Sequence, residues 1–206
     1  MGAISTYFVR MVLPALLGAL CWAMTRPPRR GWRKKRGYLP GPYREGAILV
    51  LFMFLSGLLW LTLTPPDLGY FLRTGRWMYP PGIPFQGGIN LIPVAESWRL
   101  FRFYLEKGMW SAILINFPGN IIMFMPIGFF GGLLSDKPRW WKGTLWAFAL
   151  SFFIETAQMF VARGTDVDDL ILNTLGGLVG HALFLLVRQF APGLVKGCAQ
   201  NRKGCA

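Results

Sequence analysis

Long apolar segments separated by shorter polar ones dominate this chain. A transmembrane α-helix needs about 18 to 20 consecutive apolar residues, and several segments approach or exceed that length. They are residues 4–24, 46–64, 109–134, 144–162 and 167–187. We therefore predict an all-α polytopic membrane helical bundle with about five transmembrane helices, in which residues 1–206 form a single integral-membrane domain.

Two of these segments have features of their own. Residues 1–9 contain no Lys or Arg, whereas a cleaved signal peptide begins with a positively charged region. We therefore predict that the first segment is a signal anchor that stays in the protein. The third segment contains Pro118 and Pro126, which membrane helices tolerate when neighbouring groups satisfy the freed carbonyls. We expect this helix to be kinked or tilted.

The basic residues predict how the helices are oriented. Lys and Arg gather in cytoplasmic loops, and residues 26–44, residues 135–142 and the tail after Val187 hold eight, three and four of them. We predict a multi-pass cell-membrane protein with its amino terminus outside and its carboxyl terminus in the cytoplasm. The same bias explains the formal net charge of +13. The basic cluster at 29–36 lies beside a span, which favours anionic membrane lipids over nucleic acid as its partner.

The predicted outer loop, residues 65–108, contains a helical pattern of its own. A turn-rich stretch precedes residues 94–107, where Trp98, Phe101 and Leu105 share one helix face and charged residues occupy another. Such a pattern is typical of a helix lying in the membrane interface. A loop helix packed on the protein fits it equally well.

Polar residues interrupt the apolar segments at similar depths. They are Arg10, Asn116, Asn120, Glu155, Gln158 and Asn173. At about 1.5 Å of rise per residue, most of them lie roughly 9 to 10 Å below the outer surface. A charged side chain at the centre of a membrane helix costs roughly 2.5 to 3.5 kcal/mol, so Glu155 indicates a function. We predict a polar pocket open to the outer leaflet.

An ordered set of motifs resembles the VanZ-like membrane protein family over about residues 90–187. Its members are Asn90, Leu91, Ile92 and Pro93, then Asn120, Phe124, Pro126 and Gly128, then Glu155 and Gln158, then Arg163, Asp166, Asp169, Asn173 and Gly176. In the family the first motif usually continues with Phe, where this chain has Val94. The resemblance implies a cell-envelope protein, in a family whose founding member is associated with reduced susceptibility to the glycopeptide antibiotic teicoplanin.

Glu155 is the main candidate for a catalytic residue, acting as a general base. A structural ion pair is the alternative. Gln158 lies on the same helix face, and we predict that it orients Glu155 through a hydrogen bond. Arg163 is predicted either to bind a phosphate or carboxylate of the substrate or to pair with the aspartates that follow it.

Three aspartates follow closely, at Asp166, Asp168 and Asp169. They are candidate ligands of a divalent metal ion, because hard cations require several converging carboxylate oxygens. Helix capping is the alternative, since acids at a helix start accept hydrogen bonds from free backbone N–H groups. Asp169 faces Asn173 and is the better candidate for a ligand or a second catalytic residue.

Amide side chains complete the candidate site. The substrate-binding candidates are Asn90, Asn116, Asn120, Gln158, Arg163 and Asn173. Asn116 and Asn120 are predicted to reach Glu155 or Asn173, or simply to hold helices together. Gly176 and Gly180 form a Gly-x-x-x-Gly pair that favours close helix packing, and His181 lies too deep, at roughly 21 Å, to belong to the site.

Three functions remain open from the sequence. The first is an outer-leaflet enzyme acting on a lipid-linked or cell-wall glycan, and the second is a non-catalytic protein that binds a lipid or a lipoglycopeptide. The third is a small proton-coupled transporter, against which the lack of visible inverted repeats argues. All three are compatible with what the resemblance implies, an envelope protein that affects susceptibility to teicoplanin.

Overall fold

The protein is built mainly from α-helices, as the apolar pattern predicts. The computed structural model describes residues 3–79, 82–83 and 88–202. The helices are α1 (Ala3–Lys35), α2 (Arg44–Leu63), α3 (Leu68–Thr74), α4 (Ala95–Glu106), α5 (Trp110–Asn116), α6 (Pro118–Leu133), α7 (Trp140–Gln158), α8 (Val167–Phe190) and α9 (Pro192–Cys198). The strands are β1 (Tyr38–Pro40), β2 (Ile89–Asn90), β3 (Thr165–Asp166) and β4 (Gln200–Arg202). The all-α helical bundle is confirmed.

Within the described residues, three segments are long and apolar enough to cross a membrane. They are Arg44–Leu63, Trp110–Leu133 and Val167–Phe190, which correspond to the second, third and fifth predicted spans. Helix α7 carries Lys142 and Glu155, which lower its hydropathy, and it ends at Gln158 rather than near residue 162. The chain is thus a membrane protein, and the number of five spans stays a prediction.

Helix α1 is longer than the first predicted span. It continues through Pro27 and Pro28 to Lys35, so the prediction of a loop from residue 26 onward is wrong for the stretch up to residue 35. The helical form places arginines of this stretch against Glu45, at the start of α2. Strand β1 then pairs antiparallel with β4. The side chain of Arg10 lies outside the described residues.

The third predicted span consists of two helices, α5 and α6, which meet at Phe117. Pro118 begins α6, where its missing N–H costs no intrahelical hydrogen bond. The backbone N–H of Phe117 still donates to the carbonyl of Ile113 at 3.1 Å. The helix break therefore falls at Phe117, just before Pro118, whereas Pro126 lies inside α6. The kink or tilt that the prolines predict stays a prediction.

Glycines bring α6, α7 and α8 together. A Cβ atom on Gly180 would collide with the backbone of Met125, and one on Gly128 would collide with the backbone of Gly177. A Cβ atom on Gly176 would also collide with α6, at the backbone of Ile121, so the predicted packing role of Gly176 and Gly180 is confirmed. The largest buried cluster between the helices consists of Leu58, Phe124, Ile127, Ala147 and Ile154.

Candidate functional site

Glu155 is buried near the end of α7 and is bound to strand β3. Its Oε2 accepts a hydrogen bond from the backbone N–H of Asp166 at 3.1 Å. The hydroxyl of Thr165 donates to the backbone carbonyl of Glu155 at 3.0 Å. Glu155 is 6% exposed, so its carboxylate stabilises the turn between α7 and α8 from inside the protein.

Asn90 enters the site through a strand pair that joins distant parts of the chain. Strand β2 runs parallel to β3, with Asn90 opposite Asp166. The amide Nδ2 of Asn90 donates to Oδ1 of Asp166 at 3.0 Å, and its Oδ1 accepts from the backbone N–H of Ile92 at 3.1 Å. The first family-like motif and the aspartate motif therefore meet in space.

Asp166 and Asp168 organise the start of α8 and the turn before α4. Oδ1 of Asp166 accepts from the backbone N–H of Asp168 at 2.9 Å, as an N-cap. Oδ1 of Asp168 accepts from the backbone N–H of Val94 at 2.7 Å. Val94 has a φ of 68°, a left-handed conformation that β-branched residues rarely adopt, and the bond to Asp168 helps to hold it.

Asp169 and Asn120 connect α8 to α6. The Nδ2 of Asn120 donates to Oδ1 of Asp169 and to the backbone carbonyl of Asn116. Asn116 itself is exposed and donates to the carbonyl of Ala112 in its own helix. Asn120 thus binds an aspartate rather than the predicted Glu155 or Asn173, and Asn116 makes no such bond across the helices.

Other predicted site residues hold helices together elsewhere. The Nε2 of Gln158 donates to the carbonyl of Thr62 at 3.1 Å, so the prediction that it orients Glu155 through a hydrogen bond is wrong. The Nε of Arg163 donates to the carbonyl of Thr64 at 3.0 Å. The Nδ2 of Asn173 donates to the hydroxyl of Ser151 at 2.9 Å, between α8 and α7.

The structure does not bring the side chains of Asp166, Asp168 and Asp169 together as a metal-ligand group. Among the described residues, no group of three or more His, Cys, Asp or Glu side chains has an arrangement that could hold a metal ion. Each aspartate instead accepts a hydrogen bond from a different donor. His181 is buried and packs on the ring of Phe184, with the ring centroids 5.5 Å apart, consistent with its exclusion from the site.

We define the polar network as Asn90, Asn120, Glu155, Asp166, Asp168 and Asp169. Beside it, between α4 and the start of α8, lies an apolar pocket of about 390 Å³. Its lining residues are Val94, Ser97, Trp98, Phe101, Phe117, Asp168, Ile171 and Leu172. Asp168 is 5% exposed, and its Oδ2 has no hydrogen-bond partner. The α4–α8 pocket therefore has mainly apolar walls, and one of its lining residues holds an unused carboxylate oxygen.

The pocket and the network lie within a segment that matches a known family. The family model described as VanZ/LLP1 matches residues 48–188. The chain belongs to the VanZ/LLP1 family. The match reaches back to α2, well before the motifs that begin at Asn90. Neither the curated proteins nor the solved structures contain a match to the chain.

The pocket of this VanZ/LLP1 protein is the part of the site that the sequence does not assign. Trp98 and Phe101 are visible in the sequence as an apolar helix face, and that face is interpreted there as a membrane or packing surface. Phe117 carries no such signal, because it lies outside that helix, at the junction of α5 and α6. The rings of Phe101 and Phe117 meet edge to face at 5.7 Å.

Proposed function

We propose that this VanZ/LLP1 protein acts in the cell envelope and reduces susceptibility to teicoplanin by binding a lipid-tailed ligand in the α4–α8 pocket. The ligand class is an acyl or polyprenyl chain attached to a polar glycan or glycopeptide. The observation that carries the proposal is the apolar pocket lined by Asp168, whose Oδ2 has no hydrogen-bond partner. The proposal includes the topology in which this end of the bundle faces outward.

The walls of the pocket suit a hydrocarbon chain. Trp98 stacks on Phe101 with ring centroids 5.8 Å apart, and Phe101 meets Phe117 edge to face. These contacts make an aromatic wall, and Ile171 and Leu172 of α8 line the same pocket. Burial of each methylene of a ligand chain contributes about 0.8 kcal/mol. A volume of about 390 Å³ is within the range of small-molecule sites.

Asp168 supplies the polar contact that would orient such a ligand. Its Oδ1 is used by Val94, whereas its Oδ2 is buried and unpaired. A buried acceptor without a donor costs free energy, so a ligand N–H, O–H or ammonium group beside Oδ2 would recover that cost. The ligand therefore carries a hydrogen-bond donor close to its apolar chain.

Binding is favoured over catalysis by the state of the other carboxylates. Glu155 accepts a hydrogen bond from the backbone of β3, and Asp169 accepts one from Asn120. Both contacts stabilise the fold around the α4–α8 pocket. The hydrolytic alternative requires Glu155 to act as a general base on a substrate. Substitution of Glu155 tests that alternative.

The pocket is tested by filling it. Ser97→Phe places a ring in the cavity, whereas Ser97→Ala leaves the space open, so the two variants form a matched pair at a lining position. Calorimetric titration of the purified protein in detergent would use teicoplanin, the same glycopeptide without its acyl chain, and a polyprenyl-linked cell-wall precursor. We expect the wild type and Ser97→Ala to bind a chain-bearing ligand, and Ser97→Phe to bind it at least about tenfold more weakly.

The two chain-bearing ligands distinguish the antibiotic from the precursor as the natural occupant. Equal binding of the acylated and deacylated glycopeptide, with no binding of the precursor, would reject the apolar pocket as the site. Cells that express the three proteins at equal abundance should show the same order in teicoplanin susceptibility. A Ser97→Phe protein that protects as well as Ser97→Ala would also count against the proposal.

A further inference from the structure

A cluster of arginines lies at the basic end of the bundle, opposite the end that holds the α4–α8 pocket. Arg26, Arg29 and Arg33 recur at helical spacing on one face of α1, and all three face Glu45 in the first turn of α2. The Nη2 of Arg29 lies 3.5 Å from Oε2 of Glu45, and the Nε of Arg26 lies 3.9 Å from the same oxygen. Arg33 is hydrogen-bonded to Oε1 of Glu45 and is 5% exposed. We call these three residues the arginine cluster.

The cluster has more positive charge than its one carboxylate balances. Three guanidinium groups share Glu45, which leaves a formal excess of two positive charges. Burial lowers the pKa of Arg29, Glu45 raises it, and the neighbouring Arg33 and Arg26 lower it further. An additional anion would relieve this repulsion.

The arginine cluster and the neighbouring Trp22 have more hydrogen-bond donors than acceptors. Buried N–H groups without a partner are the Nε of Arg26, the Nε and Nη1 of Arg29, the Nη1 of Arg33 and the indole Nε1 of Trp22. Each unpaired donor costs free energy when buried. All of these groups donate and none accepts, so the chemistry that completes the site is an anion with several acceptor oxygens.

A cavity lies against the cluster and gives such an anion room. It has a volume of about 340 Å³ and is lined by Trp22, Ala23, Arg26, Pro27 and Arg30. The guanidinium of Arg26 stacks over the ring of Trp22 at 4.9 Å, and that of Arg29 lies 5.3 Å from the centre of the Phe52 ring. Arg26 and Arg30 therefore line the cavity together with the apolar surface of Trp22 and Pro27.

We propose that the cavity beside the arginine cluster binds a phosphate group, supplied by the headgroup of an anionic membrane lipid. Phosphate oxygens pair with arginine forks in a bidentate manner, and basic pockets between membrane helices suit lipid headgroups. The aromatic rings and the exposed apolar residues of α1, such as Leu20 and Met24, would contact the acyl chains. Free inorganic phosphate offers the same oxygens without the chains.

Lipid retention by the purified full-length protein tests the site. Native mass spectrometry in a neutral detergent would compare dioleoyl-phosphatidylglycerol with dioleoylglycerol, which has the same chains but no phosphate. Arg26→Gln removes a cavity-lining guanidinium, and Lys34→Gln removes one charge at an exposed position of the same helix. We expect phosphatidylglycerol to bind at least about tenfold more tightly than dioleoylglycerol, and Arg26→Gln to weaken it about tenfold, as the loss of a charge-assisted hydrogen bond would.

The control variant, the uncharged lipid and the free ion give the outcomes that would overturn or reassign the site. Lys34→Gln should retain the lipid like the wild type, and an equal loss in both variants would reduce the effect to the general basic charge of α1 and overturn the site. Equal retention of the two lipids would overturn it as well. Inorganic phosphate that displaces the lipid at comparable concentration would keep the anion site and assign it to the free ion.

Discussion

Glu155 shows at the scale of one residue how a buried acid can be part of the fold. Its carboxylate accepts from the backbone N–H of Asp166, so the side chain keeps β3 attached to the end of α7. A buried carboxylate in a membrane helix indicates a function from the sequence alone. The contact with Asp166 supplies a structural reason for having an acid at this position.

Two substitutions at this position separate structure from charge. Glu155→Leu removes the acceptor and should lower the free energy of unfolding by about 1 to 3 kcal/mol, because the hydrogen bond from the N–H of Asp166 to the Glu155 carboxylate is lost. Glu155→Gln retains an acceptor oxygen and should keep both the thermal stability in detergent and the teicoplanin protection. Loss of protection by Glu155→Gln at equal abundance would show that the charge is needed, and would favour the enzyme over the binding protein.

The three aspartates give a second prediction at the residue scale. Because Asp166, Asp168 and Asp169 accept from different donors, we expect the melting curve of the purified protein to be the same with Mg²⁺, with Ca²⁺ and with a chelator. An ion that binds only the folded protein would stabilise it by about 2.7 kcal/mol at a hundred times its dissociation constant. A rise of that size, lost in Asp169→Asn, would restore the metal site.

At the scale of elements, contact between α6 and α8 positions the network. Gly128 and Gly180 allow the two backbones to touch, which brings Asn120 of α6 within reach of Asp169 of α8. Without this close approach, the amide of Asn120 would not reach the carboxylate of Asp169. The glycines therefore act on the site although they contribute no side chain to it.

Opposite effects are expected from two glycine substitutions. Gly180→Ala should destabilise the protein, since its Cβ would collide with the backbone carbonyl of Met125. Gly46→Ala in α2 has open space around the new Cβ and should stabilise the helix by up to about 1 kcal/mol, because alanine has the higher helix propensity. Thermal unfolding in one detergent would measure both. Equal shifts for the two variants would refute the close contact at Gly180.

At the scale of the whole molecule, the distribution of basic residues predicts the orientation. The arginine cluster and the α4–α8 pocket then belong to opposite membrane faces, with the lipid headgroup site inside and the ligand pocket outside. The proposals for the two sites depend on different residues and can fail separately.

Cysteine labelling tests this orientation. In a background without native cysteines, Met78→Cys and Lys35→Cys each place a thiol at an exposed position, one on each predicted side. In intact cells, an impermeant thiol reagent should modify residue 78 and leave residue 35 unmodified until the membrane is opened. The reverse pattern would reject the outward-facing pocket.

The pattern of apolar residues was sufficient to predict the helical bundle. Segment 46–64 corresponds to α2 within two residues, and 167–187 begins with α8, because length and hydropathy are local properties of the chain. The amphipathic pattern at 94–107 likewise corresponds to α4. Beyond residue 25 the prediction fails, because α1 remains helical where its arginines meet Glu45, a contact between two helices.

For the candidate site as well, the sequence determines some features and the tertiary structure determines others. The residue types of the polar network are visible in the sequence, because buried acids and amides are conspicuous among apolar neighbours. Their partners were decided by tertiary structure: Asn90 reaches Asp166 through a strand pair, and Gln158 turns to Thr62 instead of Glu155. The α4–α8 pocket exists only where α4, the break before Pro118 and the first turns of α8 meet. Hydrophobicity is a property of each segment, whereas a cavity depends on how separate segments pack.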